Sequence, residues 1–456
     1  GTLINIDKML KIWKMRHLSL LGKIQIIKNF GISQILFVSN MLDFPNELIP
    51  ETNNLFYKFV WNNTDKVKRE TLISNIENGG AKMPDLQSIL DTQKAIWGKR
   101  FLQKNYHPWK EFINLELNHL GGPDIINRKI PNSLIKTSKL SAFNKSILYG
   151  LHNSISYPYL QNEILNQYLW NNEHITTPNN RTINYPLLKK AGINYVKDLI
   201  FNDQIMSLKR SHPFCKTNLE KFNIKSVIKC LPVAWKSLNF AETSRTRCEL
   251  SLKTITSQKI YSAKIKSLSR PPTSEVFFKD KLGIQPDEFS EYYSVPYVTT
   301  IYTKLRSFQF KINHNILFTK EKLYKVGMRD SALCSLCNKE IETLSHLFVS
   351  CEGIKPLWKK IEENMLAPFG ISSLSEKDIL LGLKLSEKTN IIVNHIILEA
   401  KYYIYVSSLK EKKPVYQQLK NRLKITESIE ESIAFRKNKL EKHTQKWFHL
   451  INHVLE

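Results

Sequence analysis

Three cysteines and one histidine in the C-terminal half have a spacing that suits metal binding. Two residues separate Cys334 from Cys337, eight separate Cys337 from His346, and four separate His346 from Cys351. Two thiolates on a tight turn, followed by an imidazole and a third thiolate, supply the four ligands of a tetrahedral structural zinc. We therefore predict that these four residues bind one zinc ion as the cofactor of the chain.

The same ligand set limits the chemistry of the predicted zinc. Four protein ligands leave no open position for an activated water, which disfavours a hydrolytic zinc. A hydrolase or redox enzyme with Cys334 and Cys337 as reactive thiols is disfavoured too, because both thiols belong to the ligand set. The alternative, three ordinary buried cysteines and a surface histidine, does not explain why half of the six cysteines lie between positions 334 and 351.

The remaining cysteines and the apolar segments bear on the compartment. Cys215, Cys230 and Cys248 lack the spacing of a metal-binding pair, so we expect them to pack in the core. Six cysteines in 456 residues favour reduced thiols inside the cell. No apolar run approaches about 18 residues and no signal peptide is visible, so we expect no contact with a membrane. The start at Gly1 suggests a fragment of a longer protein.

The chain carries a large excess of positive charge. It contains 67 lysine and arginine residues against 41 aspartate and glutamate residues, a net charge of +26. Such an excess favours a polyanionic partner, and nucleic acid is the first candidate. Residues 201–270 are the densest region, with ten lysines and four arginines against four acidic residues. We predict phosphate contacts there from Lys253, Lys259, Lys264 and Lys266, the alternative being an ordinary solvated surface.

The hydrophobic pattern predicts a mainly α-helical, multi-domain fold with a small zinc-knuckle module. Only 15 residues are glycine, and apolar residues recur at helical spacing over 20–101 and 305–323. Ser19 is predicted to cap a helix on which Lys23 and Lys28 lie off the apolar face. Further helices are predicted at 33–42, from near 50, at 86–101, at 305–316 and after Thr319. We expect a strand pair at the knuckle and a helix, capped by Thr343, with His346 in its first turn.

Two groups of motifs resemble a known family. The first group is Trp13, Leu18–Lys28, Phe59–Trp61, Lys68–Arg69, Gly79–Gly80, Met83–Asp85 and Trp97 with Arg100. It resembles the region downstream of the polymerase palm in LINE-type non-LTR retrotransposon reverse transcriptases. The second group is Leu305–Leu317, Arg329–Asp330, the four predicted zinc ligands and Trp358. It resembles the reverse-transcriptase zinc-binding domain of the same family.

The resemblance implies a domain order and a set of partners. It implies a thumb-like helical domain at 1–105, a helical linker at 106–200, a basic helical connector at 201–300, the zinc-binding domain at 301–360 and a C-terminal helical segment at 361–456. In that family the thumb contacts the template–primer duplex, and the zinc region helps to bind template RNA and target DNA during target-primed reverse transcription. The implied partners are RNA, DNA and their hybrid, in a ribonucleoprotein of the nucleus and cytoplasm. The residues suited to phosphate contacts in the thumb-like part are Lys23, Lys28, Lys66, Lys68 and Arg69.

One departure from the family decides the expected activity. Such polymerases need a palm Asp-Asp motif that holds two divalent ions, and this sequence contains no two consecutive aspartates. We therefore predict no polymerase activity by the chain alone, which would normally be joined to an upstream polymerase domain. The alternative is a retrotransposon-derived helical scaffold for protein interactions, in which charged helices near 427–442 bind a partner and a structural zinc maintains the fold.

Overall fold

The computed structural model describes residues 2–103, 105–120, 122, 130–154, 164–207, 213, 216–240 and 256–455. Helices dominate these residues, which confirms the predicted mainly α class. The α-helices before residue 240 are Thr2–Lys14, Leu20–Ile26, Ser33–Met41, Leu48–Trp61, Arg69–Leu72, Leu86–Leu102, Pro108–Leu117, Asn132–Thr137, Ala142–His152, Pro186–Lys190, Asn218–Cys230 and Val233–Lys236. Those after residue 255 are Ser257–Leu268, Ser274–Leu282, Phe289–Thr299, Thr303–Asn313, Lys320–Lys325, Lys355–Ile361, Glu376–Leu381, Asn390–Leu409, Tyr416–Arg436 and Leu440–Leu450.

Several short segments complete the secondary structure of the described residues. Two-residue strands, Ile200–Phe201 and Gln204–Ile205, pair antiparallel. Wider π-helical turns lie at Ile27–Ile32, His346–Ser350, Glu362–Leu366 and Ile451–Leu455. Turns of 3₁₀-helix lie at Ile76–Asn78, Asn118–Leu120, Val196–Leu199 and Ala367–Phe369. None of the helices in the described ranges is both long enough and apolar enough to cross a membrane.

The chain packs as two compact units, each assembled from segments that are distant in sequence. The first unit contains Gly1–Gly31, Asn54–Pro84 and Leu268–Glu456, and the second contains Ile32–Asn53 and Asp85–Ser267. The five segments implied by the sequence resemblance stay a prediction. Cys215, Cys248 and Lys253, together with parts of the basic region 201–270, lie outside the described residues.

Local capping signals in the first unit place its N-terminal helices. The Ser19 side chain accepts a hydrogen bond from the Gly22 amide, 3.2 Å away, so the predicted cap of helix Leu20–Ile26 is confirmed. This helix buries Leu20 and Ile24, which leaves Lys23 half-buried at the edge of the packed face. The cap satisfies an amide that would otherwise lack a partner at the helix start.

The C-terminal helices form the main core of the first unit. Helix Asn390–Leu409 buries Ile396 and Ile404 and packs against helices Phe289–Thr299 and Tyr416–Arg436. The core that these helices build also contains Leu347, Phe348, Trp358 and other side chains next to the predicted zinc ligands. The zinc-knuckle segment therefore packs into one core with the C-terminal helices, and its cluster of three cysteines and one histidine fits the predicted small zinc-binding module.

The second unit centres on the pair of helices Leu86–Leu102 and Ala142–His152. A glycine on each helix allows the close crossing, because a Cβ at Gly98 would lie 2.5 Å from Leu151 and one at Gly150 would lie 2.7 Å from the Asp91 carbonyl oxygen. Asp91 also accepts a hydrogen bond from the Lys264 ammonium, 2.6 Å away. A second cluster of apolar side chains, between Ile164 and Phe240, forms the core around the two short strands.

The Gly79–Gly80 turn of the first unit is a point of close packing. Gly79 has a φ of 74°, and a Cβ there would lie 2.4 Å from Pro272 Cγ and 3.0 Å from the Tyr293 ring. The Gly79 carbonyl oxygen is 2.8 Å from Nε2 of buried His314, and burial lowers the pKa of that imidazole to about 4. His314 therefore stays neutral near pH 7 and donates this hydrogen bond. Glycine is required here by both the left-handed backbone and the lack of space.

We predict that Gly79→Ala destabilises the first unit more than Gly327→Ala. The two glycines have similar φ values, 74° and 71°, but nothing lies within 4 Å of a Cβ at Gly327. Gly327→Ala should therefore lower the free energy of unfolding only by the cost of a left-handed backbone at alanine, about 1–2 kcal/mol. Gly79→Ala should lower the free energy of unfolding by the same backbone cost and by about 1–3 kcal/mol more, because its Cβ overpacks the site. Urea unfolding followed by circular dichroism measures both, and equal losses of unfolding free energy would show that the contacts with Pro272 and Tyr293 are unimportant.

Candidate metal centre

The first pair of predicted ligands lies on a tight hairpin. The Cys334 amide donates to the Glu340 carbonyl oxygen and the Asn338 amide donates to the Cys334 carbonyl oxygen, both over 2.8 Å. Asn338 adopts a left-handed φ of 56°, which reverses the chain direction just after Cys337. Leu333 and Ile341 form an antiparallel bridge at the base of this hairpin. The predicted strand pair is thus present in its shortest form, a single bridge.

The second pair of ligands lies on the helical segment that follows. The Thr343 hydroxyl accepts a hydrogen bond from the His346 amide over 3.1 Å, so the predicted cap and the place of His346 in the first turn are confirmed. The segment then widens into a π-helical turn, in which the Cys351 amide donates to the His346 carbonyl oxygen over 2.9 Å. This turn places His346 and Cys351 beside the hairpin.

Glycine permits the chain after Cys351 to approach the hairpin. A Cβ at Gly353 would lie 2.7 Å from the carbonyl oxygen of Leu336, which is one of the two residues between the first two cysteines. Any larger side chain at position 353 would push the hairpin away from the helical segment. Gly353 therefore helps to set the distance between the two pairs of ligands.

The four ligand atoms converge at one point. Each of Cys334, Cys337, His346 and Cys351 offers one ligand atom, and these atoms all lie within 4.8 Å of one another. The Sγ atoms of Cys334 and Cys351 are 3.7 Å apart, and Cys337 Sγ is 3.3 Å from His346 Nε2. A tetrahedral zinc with Zn–S bonds of about 2.3 Å holds two sulfurs about 3.8 Å apart. The cluster is therefore compatible with zinc binding.

The electrostatics of the cluster favour a cation at its centre. The hydrogen bond from Cys351 lowers the pKa of the Cys334 thiol, with help from the Leu336 and Cys337 amides. The hydrogen bond to Cys334 and then burial raise the pKa of Cys351. Cys334 and Cys351 are both fully buried. A metal ion would replace the proton between them, because its charge stabilises several thiolates at once.

A carboxylate orients the histidine ligand. Glu340 Oε2 is 3.0 Å from His346 Nδ1, and this contact directs Nε2 towards the cysteines. Carboxylates that bind the second nitrogen of a metal-binding histidine fix its tautomer and raise its basicity. Sequence reasoning did not identify Glu340, since a single glutamate in a turn carries no signal that distinguishes it from a surface charge.

Polar contacts join the hairpin to the long C-terminal helix. The Ser335 hydroxyl donates to the Ser408 carbonyl oxygen over 2.9 Å, and the Ser408 hydroxyl donates to the Glu342 carboxylate over 2.7 Å. Burial raises the pKa of Glu342, and its carboxylate also accepts from the Lys320 amide over 2.9 Å. The indole of Trp358 donates to the Phe348 carbonyl oxygen over 2.9 Å. These bonds hold the ligands on a rigid support.

The predicted nucleic-acid-binding residues of the thumb-like part differ in their surroundings, and their phosphate contacts stay predictions. Lys23 and Lys66 line a common pocket of the first unit. Lys28 is half-buried, and burial followed by the charge of Lys82 lowers its pKa. Lys68 is exposed next to Arg69, whose guanidinium binds Asp65 over 2.8 Å and lies over the Tyr57 ring.

The predicted residues of the basic region have different surroundings. Lys259 and Lys266 are exposed on helix Ser257–Leu268, which buries Ile260 and Ile265. Lys264 lies on the same helix, but its ammonium is paired with Asp91 at 2.6 Å and little of either side chain is exposed. This ion pair makes Lys264 a weaker candidate for a phosphate contact than its two neighbours. The phosphate contacts of all three stay predictions.

Comparison with known proteins supports the assignment of the cysteine cluster. Residues 281–358 match a family model described as zinc-binding in reverse transcriptase. The matched segment contains all four residues of the cluster. No curated protein matches the chain. The match supports a reverse-transcriptase-related C-terminal region, whereas the LINE type and the thumb-like assignment of residues 1–105 stay predictions.

We predict one zinc ion per chain in the purified protein. Cys337→Ser should lower the zinc content well below one per chain, because it removes one of four ligands. Cys230→Ser is the matched control, since Cys230 is a free cysteine of the other unit and is not among the four clustered residues. Elemental analysis of the unmodified protein and of the two variants measures the zinc content per chain. Equal zinc contents in the two variants, or no zinc in the unmodified protein, would refute the site.

We predict that Glu340→Gln weakens zinc binding about tenfold to a hundredfold without removing a ligand. Glu352→Gln is the control, because its carboxylate is similarly exposed, at 59% against 64%, but pairs with Lys339 and not with the histidine. Competition with a chromophoric chelator gives the affinities. An equal loss in both variants would assign the effect to general charge and not to the contact with His346.

Proposed function

We propose that this chain is the nucleic-acid-binding, zinc-containing C-terminal part of a LINE-type non-LTR retrotransposon reverse transcriptase. In this role it holds template RNA and target DNA during target-primed reverse transcription, within a ribonucleoprotein of the nucleus and cytoplasm. The observation that carries the proposal is the cluster of Cys334, Cys337, His346 and Cys351, in which all but the half-buried Cys337 are buried, inside a segment that matches the zinc-binding model of reverse transcriptases. The net charge of +26 supports nucleic acid as the partner.

The cluster supports a structural role for the zinc. A bound zinc ion would neutralise the thiolates and cross-link the hairpin to the helical segment. The chain itself supplies four ligands, the Glu340 carboxylate that orients His346, and the apolar core around Leu347 and Phe348. These groups favour a rigid surface for a nucleic acid over a centre for hydrolysis.

The proposed activity is binding without synthesis. Template-directed synthesis requires carboxylates that hold two metal ions about 3.5–4 Å apart, and consecutive aspartates are absent from the sequence. Lysine and arginine side chains contact phosphates whatever the base sequence is. We therefore expect binding that tolerates many sequences and depends strongly on salt.

A second candidate function, a scaffold for protein interactions, is favoured by one apolar groove. The groove has a volume of about 290 Å³ and lies on helix Tyr416–Arg436 of the first unit. Ile425 and Ile429 line it at helical spacing and are 62% and 54% exposed. Such a face would suit an apolar helix of another protein. Binding to a protein would depend much less on salt than binding to phosphates, which separates the two functions.

We predict that the chain binds single-stranded RNA, duplex DNA and an RNA–DNA hybrid with an affinity that falls steeply as salt increases. The plot of log association constant against log salt should have a slope steeper than about −3, which corresponds to about four phosphate contacts. Fluorescence anisotropy across a salt series gives this slope, and a primer-extension assay on the same samples should give no product. Salt-insensitive binding, absence of binding, or template-dependent extension would each contradict the proposal.

We predict that Lys259→Glu with Lys266→Glu lowers the magnitude of the duplex slope by about 1.8, or 0.9 for each lost phosphate contact. Folding should survive, because both side chains are exposed and the Lys264–Asp91 pair is left intact. Lys136→Glu with Lys139→Glu makes the same charge change at exposed positions of the same unit. Equal slopes in the two double variants would exclude this helix as a contact while leaving the proposed function standing.

A further inference from the structure

A pocket with four lysines lies in the first unit. Its volume is about 390 Å³, and its lining residues include Lys23, Lys66, Lys304 and Lys311 together with apolar and aromatic side chains. None of them is acidic, and none is a member of the cysteine cluster. The pocket is therefore a concave, positively charged site separate from the candidate metal centre.

The four lysines differ in how the chain already uses them. The Lys23 ammonium donates to the Asn62 side chain over 2.9 Å and to the Val60 carbonyl oxygen over 3.2 Å. The Lys66 ammonium lies 4.1 Å from the centre of the Phe318 ring. Lys66, Lys304 and Lys311 are all exposed to solvent, but the Lys66 ammonium already lies against an aromatic ring. Within the described residues, none of the four has an acidic partner within 4 Å.

The charges in the pocket destabilise one another. Burial lowers the pKa of Lys23, and the charges of Lys14, Lys311 and Lys66 lower it further. Burial also lowers the pKa of Lys66, and the charge of Lys311 lowers it further. Surrounding protein atoms also lower the pKa of Lys311, although its side chain reaches solvent. An anion in the pocket would relieve this repulsion, because it would interact favourably with several lysines at once.

The rest of the lining suits the sugar and base beside a phosphate. Phe318, Tyr402 and Tyr405 supply aromatic surface, which binds bases without preference for sequence. Two other lining residues contain buried polar atoms without a hydrogen-bond partner in the described structure, Trp61 Nε1 and Ser307 Oγ. The pocket thus combines positive charge, aromatic surface and unused hydrogen-bonding groups.

We propose that this pocket binds a phosphate group of a nucleic-acid strand, with Lys304 and Lys311 as its two available ammonium contacts. This assignment rests on the proposed nucleic-acid-binding function and gives it a specific location. Lys23 and Lys66 reinforce the positive potential from the pocket wall. A free nucleotide has the same phosphate chemistry, so the experiment must separate a strand from a mononucleotide.

The first test compares two double variants that remove the same charge. Lys304→Gln with Lys311→Gln should weaken binding of single-stranded RNA at least about tenfold, because two charge-assisted contacts are lost. It should also lower the magnitude of the salt slope by about 1.4, or 0.7 for each contact to a single strand. Lys412→Gln with Lys413→Gln is the control, since both lysines are exposed in the same unit and lie outside the pocket. Equal affinities and slopes in the two variants would overturn the assignment.

The second test uses the unmodified chain and does not depend on a variant that folds. Acetylation of lysines, read by mass spectrometry, should slow at Lys304 and Lys311 when single-stranded RNA is added, and should be unchanged at Lys412 and Lys413. A nucleoside monophosphate at the same phosphate concentration should protect much less. Stronger protection by the mononucleotide than by RNA would overturn the assignment to a strand.

The outcomes separate the pocket from the proposed function. If the unmodified chain binds RNA with a steep salt dependence but neither lysine is protected, the function stands and the pocket assignment fails. If the unmodified chain binds no nucleic acid, the proposed function fails and the pocket assignment fails with it. Circular dichroism and zinc content of each variant verify that lost binding does not come from lost structure.

Discussion

The convergence of three thiols and one imidazole is the constraint on which the C-terminal part of the first unit depends. Cys334 and Cys351 are fully buried among Leu347, Phe348 and other core side chains, so the cluster is part of the core. Deprotonated thiolates packed this closely would repel one another, and protonated thiols would leave the hairpin and the helical segment without a cross-link. A cation removes both costs, which is why metal binding and folding are expected to be coupled here.

The position of the cluster also explains why its neighbours are polar as well as apolar. Glu340 orients the imidazole, while Glu342 and Ser408 connect the hairpin to helix Asn390–Leu409. Buried polar groups such as Glu342 and Ser408 stabilise a fold when they are paired and destabilise it when they are not. The network therefore couples the geometry of the ligands to the packing of a helix whose Ser408 lies 66 residues after Glu342 in the sequence.

The excess of positive charge opposes folding, whereas the paired polar groups around the cluster stabilise the fold. A net charge of +26 favours a partner of negative charge but opposes a compact fold through repulsion. The chain offsets some of this charge by internal pairing, as between Lys264 and Asp91. Other lysines lie together with no acidic residue among the described side chains that line their pocket, as for Lys304 and Lys311. Such unpaired charge is what a phosphate backbone would stabilise, so the proposed binding and the local instability would have the same origin.

The sequence by itself determined the local features. Ser19 and Thr343 cap their helices as predicted, and helices Ser33–Met41 and Leu86–Leu102 lie close to the predicted bounds, because caps and apolar periodicity act within a few turns. The ligand spacing placed the cysteine cluster for the same reason. Only the tertiary structure decided the grouping into two units, the Glu340 contact with His346, and the meeting of Lys23 and Lys66 with Lys304 and Lys311. Most of these depend on packing between segments up to hundreds of residues apart, and even the short-range Glu340 contact depends on the folded hairpin, which no local pattern records.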